Sequence, residues 1–307
     1  MSDDAGRRLI AVTQLPSPHM QQGERTFVGD EPIDAALALR QHEAYRHALR
    51  QCGAEVIVLD ANLACPDGVF VEDTAIVLDD VAVMMSMGAA SRRRELPAIE
   101  AELSRWRPIA RVRLPATIDG GDVVHAGRTL HVGRSPRTND AGIAALRSIV
   151  APFGYLVTAI PVTGCLHLKT ACSALPDGRF LVNADWIDTS TLPAGALLPV
   201  PSDEPWAGDV LVIGDRVILA DAFPRTAELL ATASPEVIPV CVSEFAKAEG
   251  GVTCLSLVFG AGAQGAITRR RGITSAAVTS AGATATLGSH RARSQNFWPT
   301  GSSQAGA

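Results

Sequence analysis

The sequence predicts an α/β fold in which a hairpin, helix and strand unit is repeated around a closed ring with one central opening. Strand-turn-strand signals recur at Asp79-Asp80, Ala126-Gly127, Asp177-Gly178 and Gly214-Asp215, spaced 47, 51 and 37 residues apart, as in repeat architectures. Helical and single-strand segments fall between these hairpins in a constant order. An N-terminal strand over 9–13 and a last apolar strand over 253–259 complete one further copy, which closes the ring and leaves no open sheet edge.

The elements follow from local pattern. Pro32 opens a stretch through Ala36, Leu39, Ala44, His47 and Leu49 that stops at Gly53, and Glu55-Val56-Ile57-Val58-Leu59 is a buried-strand run. The first hairpin covers 71–85 and leads to a helix over 97–106 and a strand over 109–114. The second covers 122–132, then a helix over 140–150 and, past Pro152 and Gly154, a strand over 155–162. The third hairpin is 169–183. The fourth is 210–220, followed by a helix over 225–232 and a strand over 236–242. Each hairpin has β-branched and aliphatic residues on both sides of a Gly or Asp turn. An open doubly wound sheet is the competing architecture, with Gly120-Gly121 as part of a nucleotide loop; no GxGxxG is present, and a strand rather than a helix follows.

Composition bounds the function. A chain of 307 residues, 47% hydrophobic and 19% charged with a formal net charge of −5, is a globular protein with a sizeable core. Its mild acidity argues against a nucleic-acid partner, since affinity for phosphate backbones comes from clustered Lys and Arg. Asp3, Asp4, Arg7 and Arg8 interrupt any secretory apolar region, and no long uncharged apolar run spans a bilayer, so no membrane partner and a cytoplasmic location are expected. Cys52, Cys65, Cys165, Cys172, Cys241 and Cys254 are widely spread with no CxxC pair, which is not a disulfide framework. From Gly260 to Ala307 there are five arginines and no acid, so residues 1–259 carry 22 basic against 32 acidic side chains. That Ala, Gly, Ser and Thr-rich stretch reads as a disordered tail (260–307) after one domain (1–259), because it offers little apolar surface to offset ordering entropy.

Polar residues interrupt the pattern in four places: Asp67-Gly68-Val69-Phe70-Val71-Glu72-Asp73, Asp119-Gly120-Gly121-Asp122, Leu166-His167-Leu168-Lys169 and Glu249-Gly250-Gly251-Val252-Thr253-Cys254. Partly buried carboxylates are costly without a cation, so several of them around one opening imply a cationic ligand. Taken singly, each residue has an ordinary structural explanation. Cys254 heads an apolar strand, His167 sits between leucines, Asp73 and Asp122 suit hydrogen bonds to turn amides, and Glu249 reads as a solvated helix-end charge. Together, Cys, His and carboxylate are the parts of an activated nucleophile.

Phe70-Val71-Glu72-Asp73, Ser91-Arg92-Arg93, Asp119-Gly120-Gly121-Asp122-Val123, Arg137-Thr138-Asn139, Leu166-His167-Leu168-Lys169 and Gly251-Val252-Thr253-Cys254 occur in that order. Over roughly residues 8–259 the chain resembles dimethylarginine dimethylaminohydrolases of the guanidino-group modifying superfamily. The resemblance implies a five-bladed α/β propeller, the pentein fold, with pseudo-fivefold ββαβ repeats around a central site. It implies Cys254 as nucleophile, His167 as general acid/base and Asp119 as the carboxylate orienting His167. Glu72 and Asp73, with Asp67, would hold the guanidinium. Arg92 and Arg137 would take the α-carboxylate, and the backbone near Leu15 and Ala248 would line the α-amino end. The partner is then a small guanidino substrate of a monomer or homodimer, with no cofactor and no metal, since the Cys165, His167 and Cys254 spacing is not a recognised zinc site. Arginine deimination or amidino transfer with the same residues is the nearest alternative, although the helical insertion typical of arginine deiminases is not found. A non-catalytic pentein binding protein has no reason to combine Cys254, His167 and Asp119.

Because the tail lies outside every motif, truncation after Gly260 is expected to leave activity intact. Citrulline formation by the truncated chain checks this, and a large loss of rate or of folded protein would make the tail structural.

Overall fold

The computed structural model describes residues 8–193, 195–232 and 236–261. The strands and helices are, in chain order, β1 (Leu9–Gln14), α1 (Ala35–Gln51), β2 (Ala54–Leu59), β3 (Ala75–Val77), β4 (Ala82–Met84), α2 (Leu96–Leu103), β5 (Ile109–Arg111), β6 (Val123–Ala126), β7 (Thr129–Arg134), α3 (Asp140–Val150), β8 (Leu156–Pro161), α4 (Leu168–Ala171), β9 (Cys172–Ala174), β10 (Phe180–Val182), β11 (Leu197–Pro199), β12 (Val210–Ile213), β13 (Arg216–Ala220), α5 (Pro224–Leu230), β14 (Glu236–Val240), α6 (Ser243–Ala246) and β15 (Leu257–Gly260). They form five three-stranded sheets, β15-β1-β2, β3-β4-β5, β6-β7-β8, β9-β10-β11 and β12-β13-β14. In every sheet the middle strand pairs antiparallel with one neighbour and parallel with the other. The pseudo-fivefold repeat is therefore present, as ββαβ in four sheets and with a 3-10 turn in the helix position of β9-β10-β11, and β1 and β15 close it with Leu9 opposite Gly260.

The four hairpin turns lie where the sequence puts them. Gly127, Gly178 and Gly214 take φ of 60°, 85° and 62° there, the left-handed backbone such turns require. The α1 helix begins later than Pro32 suggests, because Asp34 is its cap and accepts from the amides of Ala36 and Leu37. Its buried residues Ala38, Gln41, His42, Tyr45, Ala48 and Leu49 recur every three or four positions and turn one face to the core. Among the described residues β11 is the strand the sequence reading lacks. It is three residues long, ends on a proline, and follows the short 3-10 turn Thr189–Thr191 instead of a helix. A strand of that length shows no period, and proline is admitted because it lies at a sheet edge. The expected tail, 260–307, lies outside the described residues beyond Ala261. Gly260 itself belongs to β15, and the Ala261 amide donates to the Arg8 carbonyl at 2.6 Å, so the closing strand outlasts the expected boundary at 259. No helix among the described residues is long and apolar enough to cross a membrane.

A short helical turn precedes the first strand of four sheets, and a plain turn precedes that of the fifth. These turns are Val71–Thr74 before β3, Gly120–Asp122 before β6, α4 before β9, a turn over 205–208 before β12, and Thr253–Leu255 before β15. The first packs on the second and the last, and α4 packs on the second. The repeat thus sends a polar turn from four sheets, and Asp209 from just before β12 in the fifth, toward a common centre. Glycine permits the close approach: a Cβ on Gly120 would stand 2.0 Å from the Glu72 carbonyl oxygen, and one on Gly121 would stand 2.6 Å from both Asp73 Oδ1 and His167 Nδ1.

Gly120→Ala should therefore destabilise the fold by about 1–3 kcal/mol, the usual cost of overpacking a dense interior. A urea midpoint equal to that of the wild type would contradict the close approach of the two turns.

Candidate active site

The central turns enclose a pocket lined by Glu24, Asp67, Phe70, Asp73, Arg92, Arg137, Leu166, His167, Ala248, Glu249, Gly250 and Cys254. Seven of the ten residues expected at the site are on this wall. Glu72 and Asp119 stand behind it, each bonded to a neighbour, and Leu15 lies outside the wall, with its carbonyl accepting from Gln14 Nε2 at 3.2 Å.

His167 precedes α4, and both of its ring nitrogens face carboxylates: Nε2 lies 3.2 Å from Asp119 Oδ2, and Nδ1 lies 3.6 Å from Asp73 Oδ1. Asp119 is fixed in turn by the Gly88 amide, which donates to its Oδ1 at 2.8 Å. Burial opposes a charge on His167, but Asp73, the bond to Asp119 and the nearby Asp122 outweigh it and push the imidazole up to about 9. The ring is an imidazolium at neutral pH. Asp73, Asp119 and His167 offer ligand atoms within 4.8 Å of one another, yet a metal there would compete with the ring protons for the same nitrogens.

The Cys254 sulfur accepts from the Gly251 amide at 3.4 Å and lies 4.0 Å from Asp209 Oδ2. Burial, then Asp209, Glu72 and Asp73, hold this thiol well above its ordinary value. Asp73 acts on both groups: with Asp119 and Asp122 it keeps His167 charged, and with burial, Asp209 and Glu72 it keeps Cys254 neutral, whereas a cation beside the sulfur would favour the thiolate.

The acids divide by what already holds them. Asp73 accepts from the Gly121 amide at 3.0 Å and pairs with Arg92; burial works against its ionisation, but His167 and Arg92 prevail and lower its pKa. Asp67 Oδ2 accepts from the Glu24 amide at 3.2 Å, and burial raises its pKa in spite of Arg92. Glu72 takes Lys169 Nζ at 2.6 Å and the Thr253 hydroxyl at 2.8 Å, so it anchors neighbouring turns to one another. Asp122 does meet an amide, that of Leu168 in the next turn at 2.9 Å, and also accepts from Ser135 and Thr138, each at 2.6 Å.

Arg92 donates to Asp73, to both oxygens of Glu95 and to the carbonyls of Asp67 and Phe70. Of its five N–H groups, one on Nη1 is left for a ligand. Arg137 lies on the same wall with Nη1 3.7 Å from Asp119 Oδ2.

Glu249 corrects the sequence reading of a solvated helix-end charge. It is buried, takes a positive φ of 62°, and lines the pocket. Its Oε1 accepts from three successive amides, those of Thr26, Phe27 and Val28, which pins that loop beside the opening. Asp209 carries no signal in the sequence, where a Gly-Asp pair ahead of an apolar run reads as an ordinary turn. Only the folding of residues 209 and 253 against each other brings it to Cys254.

Since the folded state raises the His167 pKa, the stability it contributes is complete below the unfolded value of about 6.5 and is lost as pH rises through about 9. An NMR titration of the His167 ring should place its midpoint near that upper value. A midpoint in the ordinary histidine range would disprove the double carboxylate clamp.

A family model described as N,N dimethylarginine dimethylhydrolase, eukaryotic, matches residues 21–172. The N(G),N(G)-dimethylarginine dimethylaminohydrolase of Streptomyces coelicolor is 43% identical over 248 residues, covering 80% of this chain and 95% of that protein. The enzyme of the same name from Pseudomonas aeruginosa is 33% identical over 228 residues, covering 74% and 90%. A solved structure of the Pseudomonas aeruginosa protein, a cysteine-to-serine mutant complexed with citrulline, superposes with a TM-score of 0.76 at 30% identity over 82% of this chain and 99% of that one. The N-terminal domain of a cyanobacterial arginine dihydrolase, at 19% identity and a TM-score of 0.71, shares the fold. The chain belongs to the dimethylarginine dimethylaminohydrolase family and has the pentein fold.

Proposed function

We propose that this protein hydrolyses Nω-methylated arginines, asymmetric dimethylarginine and monomethylarginine, to citrulline and dimethylamine or methylamine. The observation that carries the reading is one pocket lined by a cysteine, a carboxylate-clamped imidazolium and the buried acids Asp67 and Asp73, in a chain 43% identical to a dimethylarginine dimethylaminohydrolase.

A guanidinium is planar and delocalised, hence a poor electrophile. Asp67 and Asp73 binding its N–H groups orient it and leave its carbon open to attack. Cys254, ionised in the presence of that cation, adds to the carbon. His167 already carries the proton the departing amine needs, and once it has given that proton away it becomes the base for the water that cleaves the S-alkylthiouronium. Asp119 holds the ring in place through both changes. Arg137, with the remaining N–H of Arg92, meets the substrate α-carboxylate, and the backbone near Ala248 and Leu15 receives the α-amino group. A reducing compartment such as the cytoplasm is supported by six free cysteines.

Incubation with asymmetric dimethylarginine, arginine and agmatine, with citrulline and released amine measured, tests the substrate assignment. Citrulline with dimethylamine from the first is expected, whereas turnover of arginine alone would make the protein a deiminase. Cys254→Ser should abolish turnover and retain substrate binding. His167→Ala should lower kcat by about 10²–10⁴-fold, the range of a general acid. Substantial activity in either variant removes that residue from its role.

A further inference from the structure

The chemistry above leaves one proton without a destination. Cys254 is a thiol in the free site and must lose its proton before it can attack. His167 cannot take it, because the ring is already protonated and must deliver that proton to the leaving amine. The Gly251 amide, which donates to the sulfur, is no base. The basic atom that the described residues bring into hydrogen-bond reach of the Cys254 S–H is Asp209 Oδ2, at 4.0 Å.

Asp209 stands immediately before β12 and is buried. It is held against the nucleophile's own turn by the Thr253 amide, which donates to Oδ1 at 3.0 Å, and the Thr253 hydroxyl oxygen, whose single proton has Glu72 as its nearer acceptor at 2.8 Å, lies 3.3 Å from Oδ2. The fit is close, since a Cβ on Gly251 would stand 2.2 Å from Oδ2. Glu72 faces it across the shared Thr253 hydroxyl, with Lys169 on the far side of Glu72 and Tyr45 nearby.

We propose that Asp209 receives the Cys254 proton when the cationic substrate enters. The S–H bond breaks, an O–H bond forms at Oδ2, and the electron pair stays on sulfur as the thiolate. This rests on the reading of Cys254 as nucleophile and His167 as acid. The transfer keeps the net charge of the buried cluster unchanged while moving negative charge toward the guanidinium. Release of the proton to solvent would instead leave a thiolate and a carboxylate side by side, out of water, where like charges are costly. Burial and Glu72 already favour a proton on Asp209, which titrates at about 7, and after product leaves, the proton returns to sulfur.

The test counts protons. The full-length protein is titrated with iminoethyl-ornithine, an arginine analogue whose amidinium carries a methyl group in place of the leaving amine. The pH is set between about 7, where Asp209 ionises, and about 9, where His167 loses its proton. Thiolate is followed by its ultraviolet absorbance, and proton release by calorimetry in two buffers of different ionisation enthalpy. In the wild type the thiolate signal should rise with almost no proton released. In Asp209→Asn the same signal should come with close to one proton released, kcat should fall by about 10²-fold or more, and the rise of kcat/KM through about 7 should vanish. Release of a full proton by the wild type overturns the proposal without recourse to any variant, as does an Asp209→Asn enzyme with unchanged kcat and pH profile. If no thiolate signal appears in the wild type, or if it persists in Cys254→Ser, the nucleophile assignment falls and this proposal with it.

Discussion

Compensation of buried charge at the centre of the ring is the constraint on which the rest of this structure depends. Turns from four of the five sheets bring Glu72, Asp73, Asp119, Asp122, His167, Lys169, Thr253 and Cys254 together, and Asp209 joins them at the start of the fifth sheet's first strand, β12. An ion placed out of water is tolerable only with partners in good geometry. Each acid here accordingly has one on a neighbouring turn: Lys169 for Glu72, Arg92 and His167 for Asp73, the Leu168 amide and two hydroxyls for Asp122, and Thr253 for Asp209. The sheets supply packing, but these bonds set how the turns nest.

The same field determines the chemical state of the site. Carboxylates around a common centre hold His167 as an imidazolium and Cys254 as a thiol. The pocket thus holds a proton on His167 and a neutral sulfur on Cys254, the starting state that the proposed reaction requires. In the proposed reaction a positively charged planar substrate changes only the second of these. On the proposed mechanism, selection for a cation and activation by that cation have one electrostatic cause, and a thiol that stays protonated is less open to adventitious oxidation and alkylation.

Pocket-lining and structural duties overlap on single residues. Arg92 lies on the pocket wall, yet most of its donors hold the 67–73 segment to Glu95. Glu249 lies on the same wall while tying down residues 26–28. Replacing either one changes the shape of the pocket as well as its charge, so loss of activity in such variants reports on positioning before it reports on chemistry.

Much of this was legible in the sequence because it is written in local pattern. Alternating β-branched residues around Gly127, Gly178 and Gly214 specify hairpins through backbone geometry that needs no tertiary partner, and Asn139-Asp140 starts α3 with a cap that is equally local. The motifs around Asp119, His167 and Cys254 carry their chemistry in residue type and order. What stayed hidden depends on distance in space. A three-residue strand such as β11 has no period to read, and its place is decided by β10 beside it. Glu249 is a buried loop anchor only because residues 26–28 fold over it, and Asp209 reaches Cys254 only because ring closure sets β12 against the turn 45 positions later in the chain. Residue type decided by itself which groups are able to ionise, attack or bind. Burial and mutual approach, which exist only in the folded ring, decided which of them hold a proton.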